Sequence, residues 1–107
     1  MMIVSLNLHG LGGHDKFLYL RDFFKCLNPS FIFIKETLHP TDHTLSFFRA
    51  MFLAWHMVVK DAEGRFGGLA ALWDPRWASL KAFSFFGGIL LTGYFRGFSH
   101  KVHLINL

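Results

Sequence analysis

A chain of 107 residues has room for one small domain and no more. With 52% hydrophobic residues and 14 phenylalanines it is not a disordered tail, and some of those phenylalanines are expected at the surface or against a partner. The formal net charge of +4, from basic residues scattered without a run, suits a polyanion such as nucleic acid and is also common among small proteins.

The elements follow in chain order. "MIVSLNL" alternates and is rich in β-formers, so it reads as a first strand. "HGLGG" is a loop. "HDKFLYLRDFFKCL" has apolar residues at 17, 18, 20, 23, 24 and 27, which is helical spacing. Asp15 near its start and Lys25 near its end suit the helix dipole. "NPS" stops the helix and "FIFIKE" is a second strand. Strand, helix, strand predicts a βαβ unit with parallel strands.

"HPTDHTLSFFRAMF" is expected to start with a Thr/Asp cap and run helically. "WHMVVK" reads as a strand, "DAEGRFGG" as a Gly-rich loop and "LAALWD" as a further strand. "ASLKAFSFF", "GGILLTGYF" and "KVHLINL" complete the pattern as antiparallel strands. The fold class is therefore α/β with mixed strand directions, in a single domain over residues 1–107. The last strand ends without cap or turn, like a domain truncated at its C-terminus. Its open edge invites self-association.

The single cysteine, Cys26, fits a reducing compartment and reads as a small core residue beside Phe23, Phe24 and Leu27. The start lacks the basic region of a secretory leader. The uncharged stretch Ala82–Phe95 is shorter than the ~20 residues of a membrane-spanning helix and has a Gly pair in its middle. The expectation is an intracellular protein, nuclear or cytoplasmic, with no membrane partner.

Ligands gather beyond the carboxyl ends of parallel strands. The first strand ends at Asn7 and the second at Glu36, so the βαβ reading brings the two to one rim. Lys35 alternates to the other face. One carboxylate and one amide oxygen suit a hard cation such as Mg²⁺. Spacing by itself favours a solvated rim glutamate beside a turn asparagine. His39 and His43 have i, i+4 spacing, but Pro40 between them is expected to keep them off a shared helix face. They lack a third ligand for zinc. The "FGG" glycines before Leu69 make a turn or hold a loop close to DNA. Trp73 reads as core, while Trp55 and Trp77 are free to stack on bases.

Three blocks, "MIVSLNLHGLGG", "FIFIKET" and "FGGLAALWDP", occur in an order that resembles the N-terminal half of the endonuclease/exonuclease/phosphatase superfamily. The closest likeness is to endonuclease domains of plant non-LTR (LINE-type) retrotransposons. The resemblance implies half of a four-layer sandwich of two sheets flanked by helices, with Mg²⁺-dependent hydrolysis of DNA phosphodiesters in the ancestor. It assigns Glu36 to the metal and Asn7 to positioning metal and phosphate. Leu6 stands where the family has Trp, His9 where it has Arg and Lys35 where it has Gln. His9 remains a weak candidate for phosphate contact. Asn106 and Leu107 match the first two positions of the family's Asn-Val-Tyr-Gly-Pro strand. The later motifs, including the general base, have no counterpart, so efficient hydrolysis is not expected. The alternatives are a noncatalytic fragment that binds nucleic acid or protein, and a decayed product that hardly folds.

Overall fold

A computed structural model describes residues 1–62 and 67–107. Glu63, Gly64, Arg65 and Phe66, from the predicted "DAEGRFGG" loop, lie outside the described residues. The elements are β1 (Ile3–Asn7), α1 (His14–Leu27), β2 (Phe31–Lys35), α2 (Thr41–Arg49), β3 (His56–Lys60), β4 (Leu69–Trp73), β5 (Ala78–Phe85), β6 (Gly88–Phe95) and β7 (Val102–Asn106). They form a four-stranded sheet of order β1-β2-β4-β3 and a three-stranded sheet β5-β6-β7. β1 and β2 run parallel, as the βαβ reading predicts, and the remaining pairings are antiparallel.

The central strands of the first sheet have no polar face, because both faces are covered. Ile32 and Ile34 of β2, with Ala70 and Leu72 of β4, pack under Leu20 and Phe24 of α1 and Phe48 of α2. Phe31 and Phe33, with Leu69, Ala71 and Trp73, meet Ala78, Ile89, Leu91 and Phe95 of the second sheet. The period-two alternation thus divides β2 and β4 between two cores. Truncating a buried Phe such as Phe31 to Ala costs about 3–5 kcal/mol. Stacked sheets lie ~10 Å apart and a helical layer adds about as much, so three layers suit the shortest principal extent of 19 Å.

The second sheet lacks a helical cover on its outer face among the described residues. Register places Phe83, Leu90 and Ile105 in one row across it, with Phe83 and Ile105 exposed. The expected surplus of exposed phenylalanines is found there and nearby, at Phe83, Phe85, Phe86 and Phe98.

Two local expectations are corrected. Cys26 is exposed, not core. At ~100° per residue it is rotated about 200° from buried Phe24, which takes it off the core side of α1. α2 has Pro40 in the capping position, with no side-chain cap. Thr41 spends its hydroxyl on Asp61 Oδ1 at 2.6 Å instead, and Thr44 N–H donates to the Pro40 carbonyl. His39 lies before α2, so the two histidines share no helix face, as expected, although their rings stack 4.4 Å apart where His39 packs back on the first turn.

Candidate functional site

The carboxyl ends of β1 and β2 form the rim that the parallel pairing predicts. Register aligns Asn7 with Lys35, so Glu36 lies one residue beyond the last pair. Simple alternation sets Asn7 beside Lys35 and turns Glu36 to the other face. Backbone geometry resets this: Glu36 leaves the strand with φ 57°, and His9 follows β1 with φ 53°. Both values lie in the left-handed region, which L-residues other than Asn, Asp and His seldom occupy, so the Glu36 value is the more unusual of the two. Leu38 shares it, with φ 57°.

These turns bring the His9 and Glu36 side chains together, with Asn7 bonded to the His9 backbone. His9 N–H donates to Asn7 Oδ1 at 3.2 Å. His9 Nδ1 lies 2.7 Å from Glu36 Oε2. His9 therefore links Asn7 and Glu36, the two residues that sequence reasoning set on one rim. The cluster is open to water, with the His9 side chain 78% and the Glu36 side chain 41% exposed. Among the described residues Lys35 makes no ion pair with Glu36.

The backbone beneath is held firmly. Leu8 N–H donates to the Lys35 carbonyl at 3.0 Å and Gly10 N–H to the Glu36 carbonyl at 2.7 Å, extending the β1–β2 pairing past the strands. Lys16 Nζ donates to the carbonyls of Leu8 and Gly10 at 2.5 and 2.6 Å, which pins the loop to α1. Opposite, Glu36 N–H donates to the Gly68 carbonyl and Leu38 N–H to that of Gly67. The two glycines of "FGG" within the described residues thus brace the Glu36 turn. A Cβ on Gly68, whose φ is +93°, would fall 2.3 Å from Thr37 Oγ1. One on Gly67 would fall 2.8 Å from Leu38 Cδ2. Of the two readings of these glycines, a turn or close approach to DNA, the packing accounts for the turn.

Asn106 is the residue whose part in the site the sequence left unread. Its buried Nδ2 donates to the carbonyls of Ile34 at 3.2 Å and Ala70 at 3.1 Å, tying the end of β7 to the sheet under Glu36. Its Oδ1 is buried without a hydrogen-bond partner among the described residues, as is Thr37 Oγ1 one residue past Glu36. A buried Asn on an otherwise alternating edge strand was the available signal. Leu6, where a Trp was expected by resemblance, borders a surface cavity of about 250 Å³ that also touches Asn7, which fits the packing loss expected there.

The donors decide which ion fits. Mg²⁺ keeps most of its waters and asks one or two carboxylates of a protein. Glu36 offers one carboxylate and Asn7 an amide oxygen, each already engaged by His9. No group of three or more His, Cys, Asp or Glu suited to a metal lies together among the described residues. The set fits an ion held mainly by water and phosphate oxygens, not a closed cage.

Of the tryptophans, Trp73 is buried in the core as expected, Trp55 is half-buried and Trp77 carries Arg96 over its ring at 5.9 Å. No described helix is long and apolar enough to cross a membrane.

No family model matches the sequence, and no curated protein does. Solved structures do match. A humanized D. rerio TDP2 superposes with a TM-score of 0.69 at 15% identity, over 96% of this chain and 44% of that one. A D. rerio TDP2 in complex with a single-strand DNA product gives 0.66 at 16% identity, over 96% and 43%. An AP endonuclease from Archaeoglobus fulgidus gives 0.53 at 17% identity, over 91% and 38%. The chain thus spans less than half the length of the structures it matches. At these identities the likeness is one of fold: the chain folds as a partial α/β sandwich, like the matching part of those structures.

Proposed function

We propose that this chain is a retroelement-derived, endonuclease-like domain that carries one half of a Mg²⁺ and phosphate site and by itself does not hydrolyse DNA efficiently. The observation that carries the reading is the Asn7–His9–Glu36 cluster at the carboxyl ends of parallel strands, on left-handed turns. Strained backbone collects where a side chain must be aimed. Glu36 would hold the ion, which supplies Lewis acidity toward a phosphoryl oxygen. Asn7, with Oδ1 accepting from His9, has its amide N–H groups left to orient a phosphate without adding negative charge. His9, when protonated, neutralises Glu36 and competes with the ion. The plant LINE-type origin rests on the three sequence blocks.

The test is nicking of supercoiled plasmid with Mg²⁺. The expected result is no cleavage above background, since general acid–base groups contribute ~10²–10⁴-fold and the family's later motifs have no counterpart here. Cleavage abolished by Glu36→Ala would overturn it.

A second reading is noncatalytic binding of DNA, and the distribution of charge favours it. Residues 1–74 hold 7 basic and 7 acidic side chains, whereas residues 75–107 hold 4 basic and none acidic. The whole net charge of +4 thus lies in the segment that builds the second sheet. Salt-sensitive DNA binding that survives Glu36→Ala supports this reading, and absence of binding at about 50 mM salt removes it. The edge of β7 is proposed to mediate self-association, checked by a concentration-dependent elution volume.

A further inference from the structure

We propose that the cavity at the opposite end of the sandwich from Glu36 binds a phosphorylated nucleoside. β2 and β4 are antiparallel, so the start of β2 and the end of β4 share this end. The cavity has a volume of about 600 Å³, within the range of small-molecule sites. It lies between the C-terminal part of α1, the turn after α2 and the turn before β5.

Its lining combines charge and aromatic surface. Four cations border it: Arg21, Lys25, Arg76 and Arg96. One carboxylate does, Asp74, and Arg76 engages both of its oxygens. Arg21 is held by Asp22 at 3.1 Å. Lys25 and Arg96 have no ion pair among the described residues, so they are the cations available to an anion. Arg96 lies over the Trp77 ring, an arrangement that orders the guanidinium. An ordered guanidinium is the group best suited to bidentate phosphate binding. Trp77 is partly exposed, and Trp55 is braced by Phe52 with ring centroids 4.4 Å apart. Both offer indole surface for a base to stack on.

The chemistry narrows the occupant. A purely apolar ligand leaves Lys25 and Arg96 unanswered. A metal ion meets four cations and a carboxylate already taken. The C-terminal end of α1, at Asn28, opposes an anion through its dipole, and Lys25 in the last turn offsets that field. An aromatic base carrying phosphate satisfies both kinds of lining at once. This site shares no residue with the Asn7–His9–Glu36 cluster and stands or falls independently of it.

The experiment is titration of the intact chain with AMP, ATP, adenosine and pyrophosphate, followed by tryptophan fluorescence and calorimetry. AMP or ATP is expected to bind saturably, with adenosine and pyrophosphate each at least about tenfold weaker. Arg96→Ala and Lys25→Ala, both at exposed positions, are each expected to weaken binding about tenfold without shifting the thermal melt, and Glu36→Ala to leave it unchanged. No saturable binding by about 1 mM nucleotide, or binding indifferent to both cation variants, overturns the proposal. A 5′-phosphorylated oligonucleotide distinguishes the sources: tighter, AMP-competitive binding identifies a strand end, and failure to compete identifies the free nucleotide.

Discussion

Glu36 and Asp74 each follow the last residue of a strand, on neighbouring antiparallel strands, and so mark opposite ends of the first sheet. Asp74 is buried and saturated. Arg76 donates to it from its backbone N–H at 2.9 Å, from Nε at 3.1 and 3.2 Å and from Nη2 at 2.8 Å. Its own N–H reaches the Ser30 carbonyl at 3.0 Å, and its carbonyl accepts from Trp77 and Ala78. The side-chain bonds from Arg76 hold its carboxyl below the usual carboxylate range, against burial, which pushes it up, and with help from the Arg76 backbone N–H. The same contact holds the Arg76 guanidinium above its ordinary range. Glu36 has one side-chain partner among the described residues, stands half in water and sits on a left-handed backbone. A carboxylate that builds a fold is enclosed and fully bonded. One that is strained, open and under-coordinated has room for a ligand.

The largest effect that would break this comparison is expected at Gly68. Gly68→Ala forces an L-residue to φ +93° and sets a Cβ against Thr37 Oγ1, beside the Glu36 turn. The two penalties together are about 2–4 kcal/mol, readable as a lowered midpoint in urea. A loss near zero would mean the glycine brace does not fix Glu36.

Asp74→Ala is expected next, at about 1–3 kcal/mol, because it removes the acceptor of the Arg76 backbone N–H and dissolves the turn before β5. Arg76→Ala should cost less, since its side chain is 81% exposed and water replaces what it loses. The pair also predicts an acid dependence. Folding lowers the Asp74 pKa from 3.8, so folding favours the ionised form. Its stabilisation is full above that value and is lost as pH falls through the lower folded value. Asp74→Asn should flatten this part of the stability–pH curve, and an unchanged slope would show that the Arg76 contact contributes nothing.

How much of this was legible in the sequence differs between the two ends. Short apolar runs located β2 and β4, and the βαβ rule placed Asn7 and Glu36 on one rim. Apolar patterning is a local signal that burial enforces, which is why it served there. It did not foresee His9 as the link, because a left-handed φ at a non-glycine residue leaves no compositional trace. Nor did it foresee the Asp74–Arg76 lock. "LAALWD" reads as a strand end and "PRW" only as a turn after it, and the meaning of Asp74 depends also on Ser30, which lies far away in the chain. The exposure of Cys26 was missed because α1 is apolar on more than one side, so its inner face is fixed by contact with β2 and not by composition.

The smallest expected effect is the sharpest test of the contrast. Glu36→Gly removes an exposed contact to His9 worth ~0–1 kcal/mol and relieves a left-handed backbone that costs an L-residue about 1–2 kcal/mol. Glycine's added freedom in the unfolded chain returns about 0.5–1 kcal/mol of that gain. The sum lies near zero, within about 1 kcal/mol of wild type in either direction, so the thermal midpoint should hardly move. Asp74→Gly, with no strain to relieve, should melt earlier by several degrees. If Glu36→Gly destabilises as much as Asp74→Gly, then the His9–Glu36 contact holds the fold, and the rim is structural at both ends.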